Sequence, residues 1–126
     1  MALPAKKEQY TYADYLLWEG PERYELIDGE AFLLASPATI HQLISMELSR
    51  QLANYLEGKK CRVISAPFDV RLFEREGDRP EDVQTVVQPD ISIVCDRDQL
   101  DERGCKGAPD LTLEILSPSS TRHDLL

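Results

Sequence analysis

Two short hydrophobic runs, residues 86–95 and 110–116, each carry a carboxylate where an unpaired charge is costly to bury, and this pairing constrains the chain more than any other feature. Both runs are rich in β-branched residues and leucine and read as strands. Side chains alternate across a strand, so Asp90, Ser92 and Val94 share one face and Ile91, Ile93 and Cys95 the other. The same rule sets Asp110, Thr112, Glu114 and Leu116 opposite Leu111, Leu113 and Ile115. On neighbouring strands about 4.8 Å apart, Asp90 and Glu114 can both reach one Mg²⁺ at about 2.1 Å from their oxygens. The plainer alternative is that Pro89-Asp90 starts an edge strand and Glu114 faces solvent.

The remaining pattern predicts a single α/β domain over residues 1–126. Thr11 precedes Asp14 at capping-box spacing, so residues 11–19 read as a short helix that Gly20-Pro21 ends. Asp28-Gly29 between residues 23–27 and 30–35 is a two-residue hairpin signal, because a type I′ turn needs positive φ at both central positions. Ile40, Leu43, Ile44, Leu48, Leu52, Tyr55 and Leu56 recur at helical spacing, with Gly58 as the stop. Residues 61–65 and 68–73 read as strands broken by Ala66-Pro67. Residues 74–82 read as a charged loop, and residues 96–109 as a polar connection. Ser117-Pro118-Ser119-Ser120-Thr121 is a cap-rich stretch from which a helix is expected to begin.

Charge argues against an open nucleic-acid surface. Lys plus Arg number 14 against 23 Asp plus Glu, a net charge of -9, whereas proteins that track phosphates usually present a basic face. A nuclease reading therefore requires a bound divalent cation and a local basic patch. The three cysteines, Cys61, Cys95 and Cys105, lack C-x-x-C spacing and read as free thiols of a cytoplasmic protein. Neither a signal peptide nor a run of membrane-spanning length is seen. Ser117, His123 and Asp124 supply triad residue types without a G-x-S-x-G elbow, and Cys61 with His41 makes no better nucleophile pair.

Five segments in consistent order carry a family resemblance. They are Tyr24-Glu25-Leu26-Ile27-Asp28-Gly29-Glu30, Ser36-Pro37 followed by His41, Ala66-Pro67-Phe68-Asp69-Val70-Arg71-Leu72, Gln88-Pro89-Asp90-Ile91-Ser92-Ile93-Val94, and the stretch from Gly107 to Ser120 containing Glu114-Ile115-Leu116-Ser117-Pro118. Together they resemble the Uma-two-type endonucleases, a bacterial branch of the PD-(D/E)XK superfamily, from about Tyr12 to Leu126. The resemblance implies a restriction-endonuclease-like mixed β-sheet core flanked by helices, with an N-terminal helix and a β-hairpin. It also implies Mg²⁺- or Mn²⁺-dependent hydrolysis of nucleic acid, DNA before RNA. A homodimer is expected on separate grounds, as the simplest closure of apolar sheet surface left uncovered.

In that superfamily the first aspartate and the second acid hold the cation, which here are Asp90 and Glu114, and a lysine two residues on orients the attacking water. Leu116 stands at that position. The resembled family carries its basic residue on the helix after Ser-Pro-Ser, a few residues past Asp124, so the domain reads as C-terminally incomplete, with Arg122 as a weak substitute. Glu25 and His41 also match. Glu25 is either a third acidic ligand or a hairpin cap, and His41 either a proton-transfer group or a hydrogen-bonded helix-start residue. Asp69 and Arg71 share a strand face, and a plain cross-strand or intrastrand ion pair stands equally beside a catalytic duty for them. The competing function is an inactive remnant that binds nucleic acid or protein through the same fold, and a further one is a part of a longer protein.

Overall fold

The computed structural model describes residues 8–116. In chain order it comprises helix α1 (Tyr12–Tyr15), strands β1 (Tyr24–Ile27) and β2 (Glu30–Leu33), helix α2 (Thr39–Leu56), and strands β3 (Arg62–Ser65), β4 (Val70–Arg71), β5 (Val86–Val87), β6 (Ile91–Val94), β7 (Leu100–Asp101), β8 (Gly104–Lys106) and β9 (Leu111–Leu113). Short 3-10 turns lie at Pro80–Asp82 and Arg97–Gln99. The expected helix after Ser117, and Arg122 with it, falls outside the described residues.

The strands form two sheets. One has six strands in the order β2-β1-β5-β4-β8-β7 and the other three, β3-β6-β9. Among the described residues only the β4–β8 pair is parallel, which makes the larger sheet mixed, as expected. The β1–β2 turn has φ 50° at Asp28 and 82° at Gly29, the positive values that two-residue hairpins demand. Helix α1 is shorter than the expected 11–19, although Thr11 does donate its N–H to Asp14 Oδ2 at 2.9 Å. Aromatic packing overrides the helix there: Trp18 meets Tyr10 edge-on at 5.2 Å and Tyr24 at 5.3 Å.

Residues 86–95 are not one strand. Val86 and Val87 pair in the larger sheet, whereas Ile91–Val94 forms the centre of the smaller one. Pro89 lies between them without an N–H to donate, so the ladder breaks and the chain crosses from sheet to sheet at Gln88-Pro89-Asp90. The polar connection of residues 96–109 conceals the β7–β8 hairpin. Gly104 permits it: φ is 142°, and an added Cβ would stand 2.0 Å from the Asp69 carbonyl oxygen.

Two clusters fill the core. Tyr10, Tyr12, Leu26, Val83 and Val86 make one, against Tyr15, Trp18 and Ala31. Val70, Val94 and Cys105 make the other, with Ile64, Phe68 and Leu72. Helix α2 spans the residues its periodicity marked and packs on β3, yet Ile40, Leu43, Ile44, Met46 and Tyr55 remain exposed. Cys61 and Cys95 are joined by a disulfide, which corrects the expectation of free thiols. They lie one step beyond the paired positions Arg62 and Val94 of neighbouring strands, a proximity their 34-residue separation does not reveal. Cys105 stays free and buried.

Candidate functional site

Strands β6 and β9 are direct antiparallel neighbours, with Ile91 opposite Leu113 and Ser92 opposite Thr112. Asp90 and Glu114 stand one residue beyond the last of these pairs, at the end where β6 begins and β9 stops. The chain stays close there, because the Ile115 N–H donates to Asp90 Oδ2 at 2.7 Å. The edge-strand alternative fails, since β6 lies between β3 and β9 and Ile91, Ser92 and Val94 are all fully buried. Its other half stands: Glu114 is exposed.

His41, in the first turn of α2, reaches the same carboxylate. Its Nε2 lies 3.2 Å from Asp90 Oδ1, and both side chains are largely covered, at 19% and 18% exposure. The Asp90 carbonyl meanwhile accepts the Ala66 N–H at 2.9 Å. Asp90 is thus fixed by contacts from three other segments: β9's continuation, α2 and the end of β3.

Glu25 lies one layer behind. Its Oε2 accepts the Gln88 N–H at 2.8 Å, two residues before Asp90. The Gln88 amide is itself engaged, donating from Nε2 to the Tyr15 hydroxyl at 2.8 Å and Asp69 Oδ1 at 3.0 Å and accepting from Arg23 at 2.9 Å. Tyr15 donates to Asp69 Oδ1 at 2.7 Å. Burial raises the Asp69 pKa, against the hydrogen bonds from Tyr15 and Gln88 that lower it. Burial and the Asp69 charge together raise the Tyr15 pKa well above the ordinary phenol, so its hydroxyl stays a donor. Tyr15, Arg23 and Gln88 were missed in the sequence because each lies on a different element.

Arg71 makes an ion pair across the sheet, with Asp101 of β7, whereas Asp69 hydrogen-bonds to Tyr15 and Gln88. Arg71, only 3% exposed, donates Nε–H to Glu74 at 2.6 Å, pairs with Asp101, and lies over the Tyr12 ring at 5.5 Å. A cavity of about 620 Å³ lies elsewhere, lined by Asp28, Glu74, Arg75, Asp78 and Asp82 among others, and by none of Glu25, His41, Asp90 or Glu114.

The donor set fits a hard divalent cation. Two carboxylate residues stand at one strand end, and Mg²⁺ typically takes one or two carboxylates while keeping several waters rather than a closed protein cage. Among the described residues no cluster of three or more His, Cys, Asp or Glu forms such a cage. The Ile115 and His41 contacts occupy one lone-pair site on each Asp90 oxygen, leaving others to accept.

The mixed α/β fold is consistent with a restriction-endonuclease-like one. A crystal structure from Anabaena variabilis, described as a "putative nuclease belonging to DUF820", superposes with a TM-score of 0.68 at 23% identity, over 91% of this chain and 63% of that one. Residues 12–126 match the model of the Uma2 family, described as "Putative restriction endonuclease", and the chain belongs to that family. An uncharacterized Synechocystis protein is 27% identical over 113 residues, 88% of this chain. The chain spans 55% of that curated relative's length. Among the described residues no helix is long and apolar enough to cross a membrane.

Proposed function

We propose that the chain carries the cation-binding half of a metal-dependent endonuclease, with Asp90 and Glu114 holding Mg²⁺ or Mn²⁺ and DNA as the substrate. The observation that carries this reading is the Ile115 N–H to Asp90 bond, which keeps the Asp90 and Glu114 positions side by side where the strands end. When bound, the cation supplies water activation and neutralises charge developing on the phosphate. Asp90 is held in orientation by Ile115 and His41, and His41 is placed to hold or pass a proton at Nε2. Glu25 stands behind Asp90, at the Gln88 N–H. Lys59, Lys60 and Arg62 are exposed where α2 ends and β3 begins, at the far end of both elements from His41 and Asp90, so the cation carries the phosphate neutralisation at the site itself. Calorimetric titration with Mn²⁺ is expected to show Asp90→Asn and Glu114→Gln each weakening binding by about tenfold or more with the fold intact. Unchanged affinity in both variants removes the site.

Leu116 favours a second reading, a nuclease fold that binds nucleic acid or protein without turnover, because it offers neither charge nor hydrogen bond where the superfamily uses lysine. Both readings share the cation site and differ only in cleavage.

The partner proposed is a second copy of the chain. Exposed Ile40, Leu43, Ile44 and Tyr55 on α2 make an apolar face of a kind that soluble monomers rarely leave open. Light scattering at micromolar concentration is expected to report a dimer that Leu43→Glu dissociates. A monodisperse monomer contradicts it.

A further inference from the structure

Gln88 occupies the link that carries the chain from the larger sheet to the smaller, and it uses nearly all of its hydrogen-bonding capacity there. Its backbone N–H goes to Glu25, its Nε2 to Tyr15 and Asp69, and its Oε1 receives Arg23. These four partners come from α1, the approach to β1, β1 itself and the approach to β4, so the link is tied to four separate places in the fold. The neighbouring Pro89 is buried and rigid in φ. Two residues after this anchor comes Asp90, whose carboxylate depends on its angle of approach to accept Ile115 at 2.7 Å.

Resting on the cation-site reading above, we propose that Glu25 and Gln88 are positioning residues for Asp90: Glu25 acts through the Gln88 N–H rather than as a third ligand. Glu25 meets the backbone two residues before Asp90, and a ligand-orienting partner needs only an acceptor oxygen, not a charge. That distinction is chemical and can be tested at the same atom. Glu25→Gln keeps an acceptor for the Gln88 N–H while losing the charge, and Glu25→Ala loses both. Gln88→Met keeps side-chain volume and removes the bonds to Tyr15, Asp69 and Arg23.

Two readouts on the folded chain separate the possibilities: Mn²⁺ affinity by calorimetry, and hydrogen exchange of the Ile115 amide, which needs no metal. Glu25→Ala and Gln88→Met are expected to weaken Mn²⁺ binding about tenfold, and Glu25→Gln to restore affinity close to that of the unaltered chain. Ile115 exchange should quicken about tenfold or more in the first two variants, relative to amides of β1 and β2, and return in the third. Val83→Ala, a core change outside the network, should lower the melting temperature without moving either readout. If Glu25→Gln is as weak as Glu25→Ala, Glu25 acts by its charge and the inference is overturned; unchanged Ile115 exchange in Gln88→Met overturns it too. If Asp90→Asn leaves Mn²⁺ affinity unaltered, the cation reading fails separately, and Ile115 exchange alone decides whether Gln88 positions Asp90.

Discussion

Leu116→Lys is expected to raise single-turnover cleavage of supercoiled plasmid by roughly 10²- to 10³-fold over the unaltered chain, the scale typical of a group that acts mainly in the transition state. Leu116 and Glu114 are two residues apart and both exposed, so a lysine there costs little stability. The unaltered residue can donate neither a proton nor a hydrogen bond. Binding and turnover should therefore separate, with Mn²⁺ affinity nearly equal in the two proteins. Glu114→Gln on the lysine background serves as the contamination control. Robust cleavage by the unaltered chain, abolished by Glu114→Gln, contradicts the role assigned to position 116 and dismisses the binding-only reading with it.

Arg71→Met is expected to lower stability by about 3 kcal/mol, because removing one partner of a buried pair strands the other charge. The stranded group is Glu74, whose side chain is 13% exposed; Asp101, at 50%, has water to fall back on and contributes little. Adding Glu74→Gln should recover at least about 1 kcal/mol, since the contact is shared and the effects cannot add. Urea denaturation at matched m values measures both. Strict additivity would show that Arg71 acts instead by packing on Tyr12.

The elements whose signal is local were legible in the sequence: the Asp28-Gly29 hairpin, the long helix, and the strand that ends just before Glu114. What sequence pattern missed depends on distant partners. The break of residues 86–95 into two sheets is signalled only by Pro89, which a run of β-branched residues masks. The β7–β8 hairpin is two and three residues long, too short for alternation to register. Asp69 and Arg71 satisfy the period of a strand, yet their partners come from α1, the Gln88 link and β7. The Cys61–Cys95 bond likewise follows from strand register alone. For the candidate site, the residue types of Asp90, Glu114, Glu25 and His41 were visible as motifs, whereas the Tyr15–Asp69–Gln88–Arg23 network behind them required the fold.

Paramagnetic broadening by substoichiometric Mn²⁺ in amide NMR spectra addresses the cation site most directly, because it reports where the ion sits without relying on turnover. The acidic cavity lined by Asp28, Glu74, Asp78 and Asp82 is the natural competitor. The account predicts that the amides of Asp90, Ile91, Glu114 and Ile115 broaden first, with His41 close behind, and that Asp90→Asn abolishes the effect. Broadening centred on residues 74–82, or unchanged by Asp90→Asn, would place the ion elsewhere and contradict it.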